Sequence, residues 1–348
     1  MVVTAATEAT QRAQGNLRRM DPVQDLGTIA DLIARAFADD IDERGQAALR
    51  EMRWMARLSP LVWWLAQADP SFQDTFNGFV WEEPSEKGRA ARRSARIVGN
   101  VSLNRAPGSR QRWILCNVMV KEEYRGRGIA RKLMEAAIAE AQDLGAAGVV
   151  LQVYRDNPTA LRLYTSMGFQ QASGETDLRL ESVTPVDLLE APDYRLRPWK
   201  PADGQAVFEL ARQARPVTQQ WIRPLRADQY HPDWLLRLGQ RILDMVAGRR
   251  VYRLTALEGD CVAATLAVTA AFRRGDHHLS LLVHPSHVGR IESALISRGL
   301  YMLAAIPPRP VRITVDMDHE AVLNVLRSYG FKEQRTLLTL RRDFEYRG

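Results

Sequence analysis

VKEEYRGRGIARKLMEAA, residues 120–137, is the stretch of this chain that decides its fold. It joins an apolar strand, NVMV, to a helix whose apolar residues recur at helical spacing. Gly126 and Gly128 stand where the helix begins, although glycine is a poor helix former. The first amides of a helix have no internal partners and carry partial positive charge, and glycine lets a ligand approach them closely. With arginines alongside, the turn predicts an anion site that suits a diphosphate.

The same turn has a plain alternative, because a glycine-rich turn is weak evidence when taken alone. Arg125, Arg127 and Arg131 can be solvated side chains around a tight turn. The stretch is not a Walker loop, since no Gly-Lys-Ser or Gly-Lys-Thr follows. It also lacks the glycine spacing and the acidic residue of the dinucleotide fingerprint. The turn alone therefore does not distinguish an anion site from a tight turn with solvated arginines, and the elements around it are needed.

Strands and helices are predicted in a definite order around the turn. A short strand, LRRMDP, precedes a helix, VQDLGTIADLIARAF, and a second helical region that carries Trp54, Trp63 and Trp64. Three strands then lead to the turn: FNGFVWEE, ARIVGNVSLNRA and RQRWILCNVMV. After its helix come a buried strand, GVVLQVY, a short helix that starts at Asn157 and Pro158, and FQQASGETDLRLE as a final hairpin. This mixture predicts an α/β (α+β) protein.

The same order of elements recurs in the second half of the chain, from YRLRPW onwards. The clearest anchors pair TSMGFQ with RSYGFK, and CNVMVKEEY with SLLVHPSHV. A repeat of this length indicates two homologous domains. We therefore predict a disordered tail at 1–15, a first domain at 16–182, a linker at 183–194 and a second domain at 195–348.

Composition narrows the class of protein. The chain has 348 residues, 46% of them hydrophobic and 26% charged, which is typical of globular proteins with two domains. No apolar run reaches the ~20 residues of a membrane span, and no secretory signal opens the sequence, so we expect a cytoplasmic protein without a membrane partner. Cys116 and Cys261 are expected to be buried free thiols, and no cysteine or histidine spacing predicts a metal site.

Charge alone leaves nucleic acid as a competing partner, because the net charge is +7. Basic loops at 89–96 and 105–112 would supply the phosphate contacts. No aromatic stacking motif accompanies these arginines, and the excess of positive charge is modest. The sequence therefore argues against nucleic acid as the partner.

The pattern Arg-x-x-Gly-x-Ala after NVMVKEEY, followed by a helix, a buried strand and YRDNPTALRLYTSMGF, resembles the GNAT superfamily of acyl-CoA-dependent N-acyltransferases. The resemblance covers nearly all of the first repeat, and its strongest motifs run from Val118 to Phe169. It implies two tandem GNAT-like domains, each a mixed, mostly antiparallel twisted sheet flanked by helices. It also implies an N-acyltransferase that uses acetyl-CoA, or another acyl-CoA, as co-substrate and needs no metal.

The resemblance assigns a role to each matching residue. A bulged strand before the turn would pair with the pantetheine arm as an added strand would, through Asn117, Val118, Met119 and Val120. The turn and the first helical residues would hold the CoA pyrophosphate: Arg125, Gly126, Arg127, Gly128, Ile129, Ala130 and Arg131. Asn157 would bond to the pantetheine chain. Tyr164 would lie near the thioester sulfur and, as general acid, protonate the leaving thiolate after an amine attacks directly in a ternary complex.

Each of these side chains also has a structural explanation. Asn157 before Pro158 is explained as a helix N-cap. Tyr164 on an amphipathic helix can be ordinary core. The tryptophans of the second helical region can line an acceptor pocket, but aromatic residues at helical spacing are more often core.

The general base departs from the family pattern. Many members carry a glutamate on the strand before the turn, and Cys116 occupies that position here. A neutral thiol between apolar neighbours is a poor base. Glu82 and Glu83, on a neighbouring predicted strand, are substitutes, and the amine can also arrive deprotonated or lose its proton through water. The base therefore stays unassigned.

The second repeat departs further. In the alignment of the two repeats, Gly128 corresponds to Ile291, whose branched side chain would lie where the pyrophosphate belongs. Tyr164 corresponds to Leu326, and His319 stands at the position of the N-cap asparagine. We therefore predict that the second domain no longer binds CoA productively. It would instead pack on the first domain, complete the acceptor site or form an oligomer.

Two functions from different classes remain. The first is transfer of an acyl group from acyl-CoA to an amine acceptor. The alternative is a non-catalytic acyl-CoA-binding regulatory module, which the missing glutamate favours. The sequence leaves open the identity of the amine, the length of the acyl group and whether the chain forms a homodimer.

Overall fold

The computed structural model describes residues 16–36, 77–83, 96–109, 111–230 and 234–345. The predicted tail and the helical region with the three tryptophans lie outside these described residues.

The chain divides into two compact units, Met1–Leu151 with Arg341–Gly348, and Gln152–Leu340. The first unit therefore includes a segment from the C-terminal end of the sequence, Arg341–Gly348. The domain limits predicted at 182 and 195 come from the internal repeat of the sequence, whereas the two units are defined by how compactly the chain packs. The predicted limits stay a prediction.

The first unit is a mixed, mostly antiparallel sheet flanked by helices. Strands β1, β2, β3 and β4 pair antiparallel in that order, whereas β4 and β5 run parallel. This arrangement confirms the predicted class of sheet. The described elements in chain order are β1 (Asn16–Arg19), α1 (Pro22–Ala36), β2 (Gly78–Glu83), β3 (Arg96–Arg105), β4 (Arg112–Val120), a 3₁₀ turn (Glu122–Tyr124), α2 (Ile129–Asp143) and β5 (Gly148–Tyr154), which continues past Leu151 into the second unit.

Both helices pack on the sheet through the apolar residues that recur at helical spacing. Ile29 and Ile33 of α1 are buried in one cluster with Val80 of β2 and Ile97 of β3. On α2, Leu133 is completely buried. These side chains remove apolar surface from water, which is the main favourable term in the stability of such a layer.

Gly99 of β3 sets how closely α2 lies on the sheet. A Cβ atom at this position would lie 3.0 Å from Leu133 Cδ1 and 3.2 Å from Ile129 Cγ2. The missing side chain therefore lets the first turns of α2 sit directly on the strand. Because Ile129 is also the first residue of α2, this contact anchors the glycine turn that precedes it.

The second unit repeats the same order of elements, from β7 onwards. Its strands lie in the order β12, β6, β11, β10, β9, β8, β7, with β10 and β11 parallel and the pairs from β9 to β7 antiparallel. Its elements are α3 (Pro158–Ser166), β6 (Gln170–Leu180), β7 (Arg195–Pro198), α4 (Gly204–Ala214), α5 (Val217–Ile222), α6 (Ala227–Tyr230), α7 (Trp234–Val246), β8 (Arg249–Glu258), β9 (Cys261–Ala271), β10 (His277–Val283), α8 (Glu292–Ala304), β11 (Val311–Asp316), α9 (Glu320–Ser328) and β12 (Lys332–Asp343), which ends in the first unit.

The hairpin predicted at FQQASGETDLRLE is wrong. The segment is one continuous strand, β6, which pairs antiparallel with β11 from Glu175 to Leu180. Gly174 lies inside this strand and allows a close contact, since a Cβ atom there would lie 2.5 Å from Met317 Sδ. A glycine inside a strand often marks such a close approach.

The expected burial of both thiols is also wrong for one of them. Both cysteines are free, but Cys261 is exposed at the start of β9, where the strand leaves a tight turn at Gly259. Cys116 is partly buried in β4.

Candidate functional site

A bulge interrupts β4 at the predicted pantetheine strand. Asn117 has a φ of 53° and, among the described residues other than glycine, is the one with a positive φ. The β3–β4 register shifts at this point, so that Asn117 and Val118 oppose the single residue Val101. The sequence pattern indicated a bulge here through the family resemblance, and the backbone confirms it.

Polar side chains of β3 hold this bulge. Asn100 is completely buried, and its amide donates a hydrogen bond to the carbonyl oxygen of Asn117 at 3.1 Å. The amide of Asn117 donates in turn to Ser102 Oγ at 3.2 Å. A non-glycine residue in the left-handed region is uncommon, and these bonds stabilise it.

Beyond the bulge, β4 has no ladder partner in β5. The parallel pairing of the two strands covers Arg112–Leu115 and Gly148–Leu151 and then stops. The main chain from Cys116 to Val120 therefore presents one edge that an extended ligand can pair with as an added strand. This is the edge that the family resemblance assigns to the pantetheine arm.

The glycine turn leaves the start of α2 open. Gly126 and Gly128 both have a φ of 76°, which favours glycine. Gly128 is the N-cap of α2 and offers no side chain to the first amides. At both glycines no atom lies within 4 Å of where a Cβ atom would stand. The first amides of α2 thus face open space at the positive end of the helix dipole.

The basic residues of the turn are exposed and arranged around these glycines. Arg125 Nε donates to the Val120 carbonyl oxygen at 3.2 Å, which ties the turn to the end of β4. Arg127 donates to the Glu123 carbonyl oxygen at 2.9 Å and lies 4.8 Å from the ring centre of Tyr124. The predicted residues from Asn117 to Arg131 thus form one continuous strand, turn and helix in the first unit.

The two substitute bases already have partners. Glu82 accepts a hydrogen bond from Arg18 Nε at 2.7 Å, and the same guanidinium binds Asp25 at 2.6 Å. Glu83 accepts a hydrogen bond from the Tyr124 hydroxyl, and this bond raises the pKa of Tyr124. Both carboxylates are thus already engaged by side chains of the first unit.

Cys116 is no better as a base. Burial of the thiol raises the pKa of Cys116 to about 12, so the sulfur stays protonated near neutral pH. Its contact with the Asn104 amide is long, at 3.5 Å. The general base therefore stays unassigned.

Asn157 and Tyr164 lie in the second unit, on α3. Asn157 Oδ1 accepts from the Ala160 amide at 3.1 Å, which confirms its prediction as the N-cap. Tyr164 is 6% exposed and meets Phe169 edge-on, with ring centres 6.1 Å apart. Burial raises the pKa of Tyr164 to about 12, so the phenol keeps its proton at physiological pH. No described residue forms a hydrogen bond with its hydroxyl.

In the second unit, the start of α8 is closed by a carboxylate that the sequence analysis missed. Glu292 is 2% exposed and accepts from the amides of Gly289 at 2.8 Å and Ile291 at 3.1 Å. His319 Nε2 lies 3.2 Å from the same carboxylate. Burial alone would raise the pKa of Glu292, but the bonds from His319 and from the amides lower it overall. No capping-box pattern marks this contact, because Glu292 is the first residue of α8 rather than the third.

The predicted reason for the loss of a phosphate site in the second repeat is wrong. Ile291 is the N-cap of α8, but its side chain is completely buried in the core of the second unit and so leaves the turn unobstructed. The Glu292 carboxylate binds the amides of Gly289 and Ile291 instead. Leu326, which corresponds to Tyr164, is likewise a completely buried core residue.

Two kinds of site are absent from the part of the chain that the structure describes. No three histidine, cysteine or carboxylate side chains are grouped so that they could hold a metal ion. None of the described helices has the length and apolar character needed to cross a membrane.

Known proteins match this strand, turn and helix. Residues 48–169 match the model of the Acetyltransferase (GNAT) family. This stretch belongs to the GNAT family. The chain also matches curated relatives, among them the "Probable N-acetyltransferase family 8 member 5" of Mus musculus, 30% identical over 83 residues. That match covers 24% of this chain and 37% of the relative.

A second relative is the "[Ribosomal protein bS18]-alanine N-acetyltransferase" of Escherichia coli (strain K12), 37% identical over 59 residues. This match covers 17% of the chain and 40% of the relative, so the chain spans well under half the length of both proteins. Each match therefore covers less than a quarter of this chain.

Solved structures extend the likeness of the fold to the whole chain. A "GCN5-related N-Acetyltransferase from Sphaerobacter thermophilus" is 19% identical with a TM-score of 0.56, over 94% of this chain and 95% of that one. A "Tandem GNAT protein from the clavulanic acid biosynthesis pathway" is 17% identical with a TM-score of 0.51, over 95% and 98%. At these identities the comparison shows the fold, which is the tandem GNAT fold predicted above.

Proposed function

We propose that the chain transfers an acyl group, in the first place acetyl, from acyl-CoA to an amine acceptor. The observation that carries this proposal is the open start of α2, where two left-handed glycines leave uncapped amides facing empty space. The GNAT family match and the N-acetyltransferase relatives support the same chemistry. An acyl-CoA bound here would supply the thioester carbonyl that the amine attacks.

The residues of the first unit suit the co-substrate in charge and shape. We propose that the amides from Arg125 to Ala130 bind the pyrophosphate, with Arg131 adding positive charge nearby. The unpaired edge of β4 from Asn117 to Val120 would bond to the amides of the pantetheine arm. The bulge would direct a main-chain amide toward the carbonyl oxygen, where charge develops during the attack.

Tyr164 is the proposed general acid. Burial keeps the Tyr164 phenol neutral at physiological pH, so its proton is present when the carbon–sulfur bond breaks. The thiolate takes that proton, the acyl group stays on the acceptor as an amide, and the tyrosinate regains a proton from the attacking nitrogen or from water. Asn157 would bond to the pantetheine chain in addition to capping α3.

The amine must lose a proton for this step, and no side chain is proposed as its base. Cys116 is neutral, and Glu82 is engaged by Arg18. We propose that the acceptor reacts as the free amine, or passes its proton to water. Activity would then rise with pH as the free amine fraction of the acceptor increases.

The alternative is a regulatory module that binds acyl-CoA without turnover. The observation in its favour is the same lack of an available carboxylate beside β4 among the described residues. We also keep as proposals the two-domain division at 16–182 and 195–348, and a second domain that no longer binds CoA. A homodimer would be compatible with either function.

A screen of amine acceptors with acetyl-CoA, followed by release of free thiol, tests the proposal. Small amines, aminoglycosides, lysine peptides and peptides with free N-termini would be included. Thiol release that depends on one class of amine is expected. Tight CoA binding without thiol release for any acceptor would instead favour the regulatory module.

A further inference from the structure

A cavity opens in the second unit where β10 and β11 diverge. The two strands pair only from His277 to Leu279 and from Val311 to Ile313. Past these residues they separate around a cavity of about 240 Å³, which the segment from Ala214 to Arg223 also lines. The cavity thus occupies, in the second repeat, the position of the β4 edge in the first.

The amides before α8 are not open to a phosphate at this cavity. His319, which lines the cavity, binds the Glu292 carboxylate at 3.2 Å. That carboxylate already accepts from the amides of Gly289 and Ile291. A ligand of this cavity is therefore held by other groups of its lining.

The lining carries one unpaired charge of each sign. Asp316, at the end of β11, accepts from Gln219 Nε2 at 3.2 Å, and no described cation lies within ion-pair distance of it. Arg215 lines the same cavity, and no described carboxylate pairs with its guanidinium. Glu175 and Arg223, by contrast, face each other at 3.6 Å. Burial raises the pKa of Asp316, and the hydrogen bonds from the Asp318 amide and Gln219 offset this only in part.

Apolar residues share the rest of the lining with polar ones. The apolar members include Ile222, Leu281, Leu282, Val283, Val315 and Val322, and the polar members include Gln152, Ser280 and Thr314. A ligand with an apolar group between its charges would remove this surface from water. The volume is below the range of drug-sized pockets and suits a molecule of the size of an amino acid.

We propose that this cavity binds a small zwitterion, a free α-amino acid with an apolar side chain. Its ammonium group would face Asp316 and its carboxylate Arg215. The proposal does not depend on acyl transfer by the first repeat, because the residues that carry it all lie in the second unit.

Calorimetric titration of the full chain with L-leucine tests this proposal. L-leucine is expected to bind, whereas N-acetyl-L-leucine, which lacks the ammonium, and L-leucinamide, which lacks the carboxylate, each bind at least about tenfold more weakly. Asp316→Asn and Arg215→Gln should each weaken L-leucine by a similar factor. Matched controls are Asp318→Asn and Arg212→Gln, which remove the same charges from exposed side chains outside the cavity lining.

Several results would overturn the proposal. These are no heat with L-leucine on the unaltered chain, equal binding of L-leucine and L-leucinamide, or equal losses in the cavity and control variants. Thermal melting of each variant identifies misfolding, and the two analogues test the same claim without any substitution. Acetyl-CoA titrated into the same variants reports on the first unit, and its failure there would count against the proposed acyl transfer alone.

Discussion

The starts of α2 and α8 differ in how their main-chain amides are bonded. Both helices follow a strand and a 3₁₀ turn, and both have amides without helical partners. At α2 a glycine N-cap leaves them open, whereas at α8 the buried Glu292 satisfies two main-chain amides of the approach, those of Gly289 and Ile291. Amides without a side-chain acceptor are suited to an external anion, whereas amides bound by Glu292 need no external partner. The proposed pyrophosphate turn of the first repeat thus has a counterpart in the second whose Gly289 and Ile291 amides already bind a side chain of the chain itself.

The largest expected effect comes from the second difference between the copies, Tyr164 against Leu326. Tyr164→Phe removes the proposed acid and should lower kcat about 100-fold, at the low end for general acid catalysis. The affinity for acetyl-CoA should stay near that of the unaltered protein. Steady-state kinetics with an accepted amine, together with CoA titration, measure both. An unchanged kcat would leave Tyr164 as a core residue.

The hydrogen bonds that Glu292 accepts from the Gly289 and Ile291 amides should stabilise the fold. Glu292→Ala leaves the Gly289 and Ile291 amides without their acceptor, so the free energy of unfolding should fall by about 2 kcal/mol. Urea denaturation measures it. Glu123→Ala on the exposed turn before α2 is the matched control and should be nearly neutral.

The Glu292 carboxylate should also make the free energy of unfolding depend on pH in the acid range. The folded pKa of Glu292 lies below its ordinary value, so its ionised form stabilises the fold above the unfolded pKa. That contribution is lost as pH falls through the folded pKa. Glu292→Gln should therefore lose less stability than the unaltered chain when the pH is lowered below about 4.5. Parallel pH slopes for the two proteins would contradict this.

A side chain in the open turn should weaken CoA binding more than it weakens the fold. Gly128→Leu is expected to raise the Kd for CoA at least about tenfold, because the added atoms enter the space above the amides. Gly145→Leu is the matched control, since Gly145 has a φ of 75° and equally open surroundings at the other end of α2. Equal CoA affinity in both variants would contradict the proposed pyrophosphate site at Gly128.

The smallest effect concerns the two thiols. Cys261 is exposed, whereas burial raises the pKa of Cys116 to about 12. A thiol reagent at pH 8 should therefore label one cysteine rapidly and the other slowly. Cys261→Ser should abolish the fast phase. Two fast phases would show that the Cys116 thiol ionises readily.

The strand, turn and helix around Gly128 were predictable because local rules agree there. Apolar spacing gives the helix, and two glycines next to arginines mark its open start. The closing of α8 was missed because alignment with Gly128 drew attention to Ile291, while burial of the neighbouring Glu292 depends on His319, distant in sequence. The failed hairpin has a similar cause. Gly174 meets Met317 of another segment, and no local pattern reveals that contact.

The return of residues 341–348 to the first unit has a consequence for biosynthesis. Phe344 donates its amide to the Ala147 carbonyl oxygen at 3.0 Å, beside the first residue of β5. A ribosome that has made only the leading half of the chain cannot yet supply this bond. The leading unit therefore matures after the trailing one has been synthesised, and a truncated gene for the first repeat alone should yield an aggregation-prone product.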